Sequence, residues 1–155
     1  MRLGERDAAA RLAGHDHGIL ATVHADRGVD TVPVVYAVHD GFVGVPVDRV
    51  KPKTSGLLQR ERNLRADPRA GLLIEYWDPG DWSLLWWVRA ELHWAGEDSG
   101  RAAALAAALA AKYPQYRDRP FHRVIVLQLG RVTGWTADRP REVDSSSDET
   151  PKSGR

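Results

Sequence analysis

The sequence contains no cysteine and a single methionine, and its 22 lysines and arginines almost balance 21 aspartates and glutamates, leaving a formal charge of +1. Without cysteine there is no thiol nucleophile, no iron–sulfur cluster, no thiolate-bound zinc and no disulfide. Redox chemistry in such a chain has to come from a bound organic cofactor or haem. The charge balance argues against an extended nucleic-acid surface, which needs a clear basic excess to neutralise phosphates. Long apolar runs are also missing. The longest uncharged stretch, Ala102 to Ala111, has about half the ~20 residues of a spanning helix. Arg2, Glu5, Arg6, Asp7 and Arg11 interrupt any signal-peptide core at the start, so a cytoplasmic location without a membrane partner is expected. No G-x-S-x-G, P-loop or dinucleotide G-x-G-x-x-G occurs, which leaves hydrolase and nucleotidase readings without support.

What is present suits one globular domain: 155 residues, 43% of them hydrophobic, suffice for a sizeable core. The spacing predicts a first amphipathic helix over Arg2 to Leu12. Gly18 to His24 then reads as a strand, Asp26-Arg27-Gly28 as a turn, and Val29 to Val38 as a second strand with Val32, Val34, Tyr36 and Val38 on one face. His39-Asp40-Gly41 leads into a third strand, Phe42 to Val47, so three adjacent strands should form an antiparallel meander. Pro33 and Pro46 cannot donate to a ladder and belong at an edge, at a bulge, or where something other than a strand approaches. After a polar basic loop, Leu57, Leu58, Glu61 and Leu64 predict a helix of about ten residues that Asp67-Pro68 stops. Ala70 to Trp77 and Leu84 to Trp94 read as strands. The second of these carries Leu84, Trp86, Val88, Ala90, Leu92 and Trp94 on an all-apolar face. A helix over Arg101 to Tyr113, capped by Asp98 or Ser99, precedes a last strand over Arg123 to Arg131 that runs on toward Trp135. Residues 1–137 are read as one domain and 138–155, rich in Pro, Ser, Asp, Glu and Lys, as a disordered tail. The expected architecture is mainly β, a small antiparallel barrel with helical crossovers.

Two places can carry chemistry. Lys51, Lys53 and Thr54 lie just ahead of a helix, whose unpaired first-turn amides and positive dipole end favour a phosphate or carboxylate. Arg60, Arg62, Arg65 and Arg69 follow. The same residues also read as a solvated basic loop and helix face, partly balanced by Asp48, Glu61 and Asp67. The second place is Trp82, Trp86, Trp87 and Arg89. Trp86 belongs to the core by its position, whereas Trp87 with Arg89 suits a planar ring, a dimer interface or both, and composition alone favours an interface. His15 and His17 form an H-x-H pair in a turn-like stretch. No carboxylate–histidine spacing matches a known ligand pattern, so no metal site is read.

Gly18-Ile19-Leu20-Ala21-Thr22-Val23, Val32-Pro33-Val34-Val35-Tyr36, Val50-Lys51-Pro52-Lys53-Thr54 and Arg62-Asn63-Leu64-Arg65-Ala66-Asp67-Pro68-Arg69 occur in an order that resembles the pyridoxamine-phosphate-oxidase-like split-barrel family of flavin and deazaflavin oxidoreductases. Asp81-Trp82-Ser83, Leu85-Trp86-Trp87-Val88-Arg89 and Lys112-Tyr113-Pro114-Gln115-Tyr116 look like an actinobacterial subgroup that depends on coenzyme F420. The resemblance spans about Ala13 to Ala137. It implies a homodimer of FMN-binding-protein-like split barrels with two cofactor sites at the subunit interface. Lys51, Lys53 and Thr54 would then hold the cofactor phosphate, and Val32, Pro33 and Val34 would lie along its ring. Trp87 and Arg89 would close the pocket, and Arg60, Arg62 or Arg65 would meet the acidic F420 tail.

The segment Val132-Thr133-Gly134-Trp135-Thr136-Ala137 lacks an arginine-rich closing motif, so the resemblance favours hydride transfer between F420 and a small conjugated substrate over oxidation of pyridoxamine phosphate. Tyr36 or Arg89 could supply a proton or stabilise charge. The alternatives are an FMN-dependent enzyme of the same fold and a non-catalytic flavin or F420 carrier. Because residues 138–155 carry almost nothing apolar, ending the chain after Ala137 is expected to leave solubility and ligand binding unchanged. Loss of soluble protein on gel filtration would refute that.

Overall fold

The structure, a computed structural model, describes residues 1–48, 56–118 and 121–137. Its elements run α1 (Glu5–Gly14), β1 (Gly18–His24), β2 (Gly28–Val34), β3 (Ala37–His39), β4 (Phe42–Asp48), α2 (Gln59–Ala66), β5 (Arg69–Tyr76), β6 (Trp86–Trp94), α3 (Ser99–Lys112) and β7 (Phe121–Thr136). Short 3-10 turns occur at Trp82–Leu84 and Pro114–Tyr116. The strands form one antiparallel sheet in the order β2-β1-β5-β6-β7-β4-β3. Laid flat, its six inter-strand gaps of about 4.8 Å would hold the two edge strands roughly 29 Å apart. Yet those edges, β2 and β3, are joined by only Val35 and Tyr36. Three residue steps reach at most about 10 Å, so the sheet has to curl until its edges meet.

Period-two patterning turns one face of the curled sheet inward. Leu20, Leu72, Ile74, Val88, Ala90, Val43, Val45 and Val47 are all buried there, and Leu12 of α1 and Leu64 of α2 plug the interior. Helix α3 packs outside β4. A Cβ at Gly44 would stand 2.8 Å from the Leu105 Cβ, so only glycine lets the helix approach this closely. Leu109 then joins Ala37 and Phe121 in a second, smaller cluster.

The link between the edges is fixed by Tyr36. Its ring is fully buried, and its hydroxyl donates to the Leu12 carbonyl at the end of α1 at 2.5 Å. Burial is the main cause that drives this phenol far above its ordinary pKa, so it stays protonated and donating.

The fold corrects several boundaries. Helix α1 starts at Glu5 rather than Arg2, because Met1 to Leu3 pair with β7: Leu3 N–H donates to Gly134 O and Thr136 N–H to Met1 O, both at 2.9 Å. The strand read over Val29 to Val38 breaks at Val35-Tyr36, and β2 and β4 are not neighbours, so the three-strand meander does not form. β6 starts at Trp86; Leu84 is exposed in a turn that Asp81 nucleates by accepting the Ser83 N–H. Pro33 lies on the edge strand β2, and Pro46 lies past the stretch of β4 that β3 covers, Phe42 to Gly44. Segments 49–55 and 138–155 fall outside the described residues, and with them the basic loop and the tail. No helix of the described residues is long and apolar enough to cross a membrane.

Replacing Tyr36 by phenylalanine leaves the Leu12 carbonyl without its donor. A loss of about 1 to 2 kcal/mol in urea unfolding, with an unchanged circular dichroism spectrum, is expected. An unaltered midpoint would show that the phenol does not secure the link.

Candidate functional site

Where the barrel edges meet, the end of α3 braces two other segments. Lys112 Nζ donates to the carbonyls of His15 and Tyr36, the latter at 3.1 Å, and sits 4.4 Å from the centre of the Tyr36 ring and 5.3 Å from that of Tyr113. The Tyr113 hydroxyl accepts the Tyr36 N–H at 3.3 Å and donates to Asp16 O at 2.6 Å. That hydroxyl also lies 2.8 Å from Tyr36 O, but it has one proton to give, and Lys112 supplies the second donor to that carbonyl. Partial burial lowers the pKa of Lys112.

These contacts form the lip of an open groove of about 760 Å³, lined by Asp16, His17, Val35, Lys112, Tyr113 and Tyr116, among others. That size accommodates a small organic molecule. Tyr116 stacks edge-on against Tyr113 and Phe121 and donates to Asp48 Oδ1 at 3.1 Å. Burial and the Asp48 carboxylate push its phenol up to about 12.

Asp48 also ends β4, the point from which the chain enters the basic segment 49–55. On α2, half-buried Arg60 lies within electrostatic reach of Asp48, Glu61 and Arg123. Glu61 is committed elsewhere: its carboxylate accepts both Arg123 Nε and Nη2 at 2.6 Å and the Leu58 N–H at 2.8 Å. Burial alone would raise the Glu61 pKa, but these bonds outweigh it and hold the group below the ordinary glutamate range. Arg60 Nε is thereby left buried with no hydrogen-bond partner among the described residues. Asn63 locks the same helix to the barrel, donating to Thr22 Oγ1 and Asp30 Oδ2 at 2.9 Å each. A helix tied to the barrel, with a guanidinium N–H that has no partner among the described residues and with Lys51, Lys53 and Thr54 a few positions earlier in the sequence, fits an anionic group such as a phosphate.

The remaining expected site residues are scattered. Lys51, Lys53 and Thr54 lie outside the described residues. Val34 is buried and Val32 packs on the core, so of the β2 trio only Pro33 faces outward. Pro33 pairs with Ile19, Ile19 with Leu73 and Leu73 with Arg89, one outward row across three strand gaps, about 14 Å. Arg89 stands 5.9 Å from the Trp87 ring centre on that outer face, and neither lines the groove of its own chain. Tyr36 is corrected as a proton donor: its hydroxyl is sealed in the core on Leu12 O. Arg62 donates to Leu57 O and Gln59 Oε1, and Arg65 pairs with Glu97 at 2.8 Å.

Asp16, His17, Lys112, Tyr113 and Tyr116 were not anticipated as groove residues. The available signal was Pro114, which ends α3 and turns Tyr116 back toward Asp48.

No protein-family model and no curated protein matches the chain by sequence. Solved structures do resemble it. The conserved hypothetical protein Rv2991 of Mycobacterium tuberculosis aligns with a TM-score of 0.65 at 22% identity, over 87% of this chain and 86% of that one. An FAD-binding protein of Mesorhizobium loti aligns at 0.59 and 16% identity, over 86% and 93%. A candidate pyridoxamine 5′-phosphate oxidase of Corynebacterium glutamicum aligns at 0.57 and 14%, over 86% and 90%. The chain therefore has the split-barrel fold found among flavin-binding and pyridoxamine 5′-phosphate oxidase-like proteins.

Glu61→Gln strands Arg123, whose side chain is about one third exposed at 34%. The expected loss is about 2 to 3 kcal/mol at pH 7, below the range for a fully buried pair. Because the folded Glu61 pKa is depressed, its stabilisation is complete above the ordinary glutamate range and vanishes as pH falls through the folded value. Urea unfolding of both proteins should therefore converge on acidification, and a pH-independent gap would contradict this account.

Proposed function

We propose that this chain is an oxidoreductase that binds a flavin-type cofactor, namely the deazaflavin F420, and exchanges a hydride between it and a small conjugated organic substrate. The observation that carries the reading is the buried Arg60 Nε, without a partner among the described residues, within electrostatic reach of Asp48, after which the sequence runs on to Lys51, Lys53 and Thr54, in a fold shared with an FAD-binding protein. The choice of F420 rests on the motifs Asp81-Trp82-Ser83, Leu85 to Arg89 and Lys112 to Tyr116.

When bound, the deazaflavin supplies the carbon that gives or takes the hydride. The protein has then to bind, orient and exclude water. Lys51, Lys53, Thr54 and Arg60 would hold the phosphate. Tyr113, Tyr116 and Val35 would wall the substrate side of the groove. Chemistry of this kind needs no triad or carboxylate pair.

The outer row of Pro33, Ile19, Leu73 and Arg89, with Trp87 beside it, is the surface a second copy would cover. Ile19 and Leu73 are exposed there at 37% and 41%, as expected of a face that awaits an apolar partner. In such a homodimer Trp87 and Arg89 would approach the cofactor site of the opposite subunit.

Titration with F420 should quench tryptophan emission at micromolar concentrations, with light scattering reporting a dimer. Arg60→Met and Lys51→Ala should each weaken binding by about 1.5 to 3 kcal/mol, roughly tenfold or more. Tight FMN binding with no response to F420 would transfer the reading to an FMN enzyme, and no response to either would overturn it. Bound reduced cofactor that survives a panel of conjugated acceptors would mark a carrier instead.

A further inference from the structure

His15, Asp16 and His17 connect α1 to β1, and the nearest ligand atoms of all three side chains lie within 4.8 Å of one another. We propose that this tripeptide is a binding site for a divalent transition metal of the zinc and copper class, facing the groove. The inference does not depend on the cofactor reading.

The geometry rests on a contrast between backbone and side chains. The backbone is held on several sides: His15 N–H donates to Arg11 O at 3.0 Å, Lys112 donates to His15 O, and the Tyr113 hydroxyl donates to Asp16 O at 2.6 Å. Among the described residues, none of the three side chains makes a hydrogen bond, and His17 Nδ1 lies 3.8 Å from Asp16 Oδ1. Ligand atoms on a tetrahedral zinc stand about 3.3 to 3.6 Å apart, so side-chain rotation of about 1 Å closes the set around an ion without moving the fixed chain. The His15 ring packs edge-on against Trp86, with centroids 5.3 Å apart, and the His17 ring lies 5.4 Å from it, tilted by 31°. One imidazole is thus oriented by the core while the other stays free to approach.

Two nitrogens and one oxygen form a borderline donor set, which suits Zn²⁺ or Cu²⁺ rather than Mg²⁺ or Ca²⁺. The Lys112 ammonium opposes a cation here, and the Asp16 and Glu75 carboxylates within electrostatic reach of His15 favour one. The Lys112 ammonium is engaged by the backbone carbonyls of His15 and Tyr36. Three protein ligands leave a coordination position open. Asp16 and His17 line the groove, so that position would face whatever molecule the groove accepts.

The test uses the full chain without a histidine tag. Zn²⁺ is titrated in competition with a chromogenic chelator, and Cu²⁺ is followed by quenching of tryptophan emission, to which Trp86 is the closest reporter. One ion per chain is expected, with affinity at least tenfold lower in His17→Ala, which removes an exposed side chain, and in Asp16→Asn. His39→Ala should change neither signal. Binding of either ion that survives His17→Ala at full affinity, or no stoichiometric binding by the native chain, overturns the site.

Discussion

The two-residue bridge from Val34 to Ala37 governs this molecule. It joins the outermost strands of a seven-stranded sheet, and covalent reach alone forbids the sheet from lying flat. A bridge this short between twisted edges cannot complete a hydrogen-bonded ladder, so its backbone groups need partners from elsewhere. Tyr113 takes the Tyr36 N–H, Lys112 serves its carbonyl, and the Tyr36 hydroxyl finds Leu12. The groove therefore lies at the split, where strand pairing stops and side chains from α3 take over.

Much of the architecture could be read because it is local. Alternation in β4 and β6 identifies their inner faces, and Asp98 caps α3 where the spacing places it. The break in the second strand was hidden by its own pattern. Val32, Val34, Tyr36 and Val38 alternate without a fault, whereas in the fold Tyr36 and Ala37 are both buried, a change of parity that only the curled sheet imposes. The start of α1 was obscured by pairing of Met1 to Leu3 with residues more than 130 positions later. The groove was hardest to foresee, since Asp16, Val35 and the Lys112 to Tyr116 segment are far apart in sequence, and the motifs that hold Val35, Lys112 and Tyr116 do not show that they meet.

Charge placement shows the same dependence on packing. The basic stretch around α2 looks uniform in sequence, yet its members have different fates. Arg62 is absorbed by Gln59 and Leu57, Arg65 by Glu97, and Arg69 by Asp67. Glu61 sits directly beside Arg60 but reaches across to Arg123 on β7. The helix periodicity turns consecutive residues about 100° apart, so adjacency in sequence does not provide pairing in space. The near-neutral total of the chain thus conceals a buried side-chain donor, Arg60 Nε, without a partner among the described residues, and a local imbalance of that kind is what an anionic ligand can recognise.

The clamp at the split also divides the groove residues into two kinds. Lys112 and Tyr113 serve closure of the barrel and the shape of the groove together, so any change in them alters stability and site geometry at once. His17 and Asp16 hang from a backbone that the clamp already fixes, and their side chains contribute no hydrogen bond to the fold among the described residues. Removing such a side chain costs the structure little, because nothing buried loses its partner. Functional variation in this barrel can therefore concentrate at the lip, on positions held by the clamp yet not required by it, while the clamp itself must stay constant for the edges to meet.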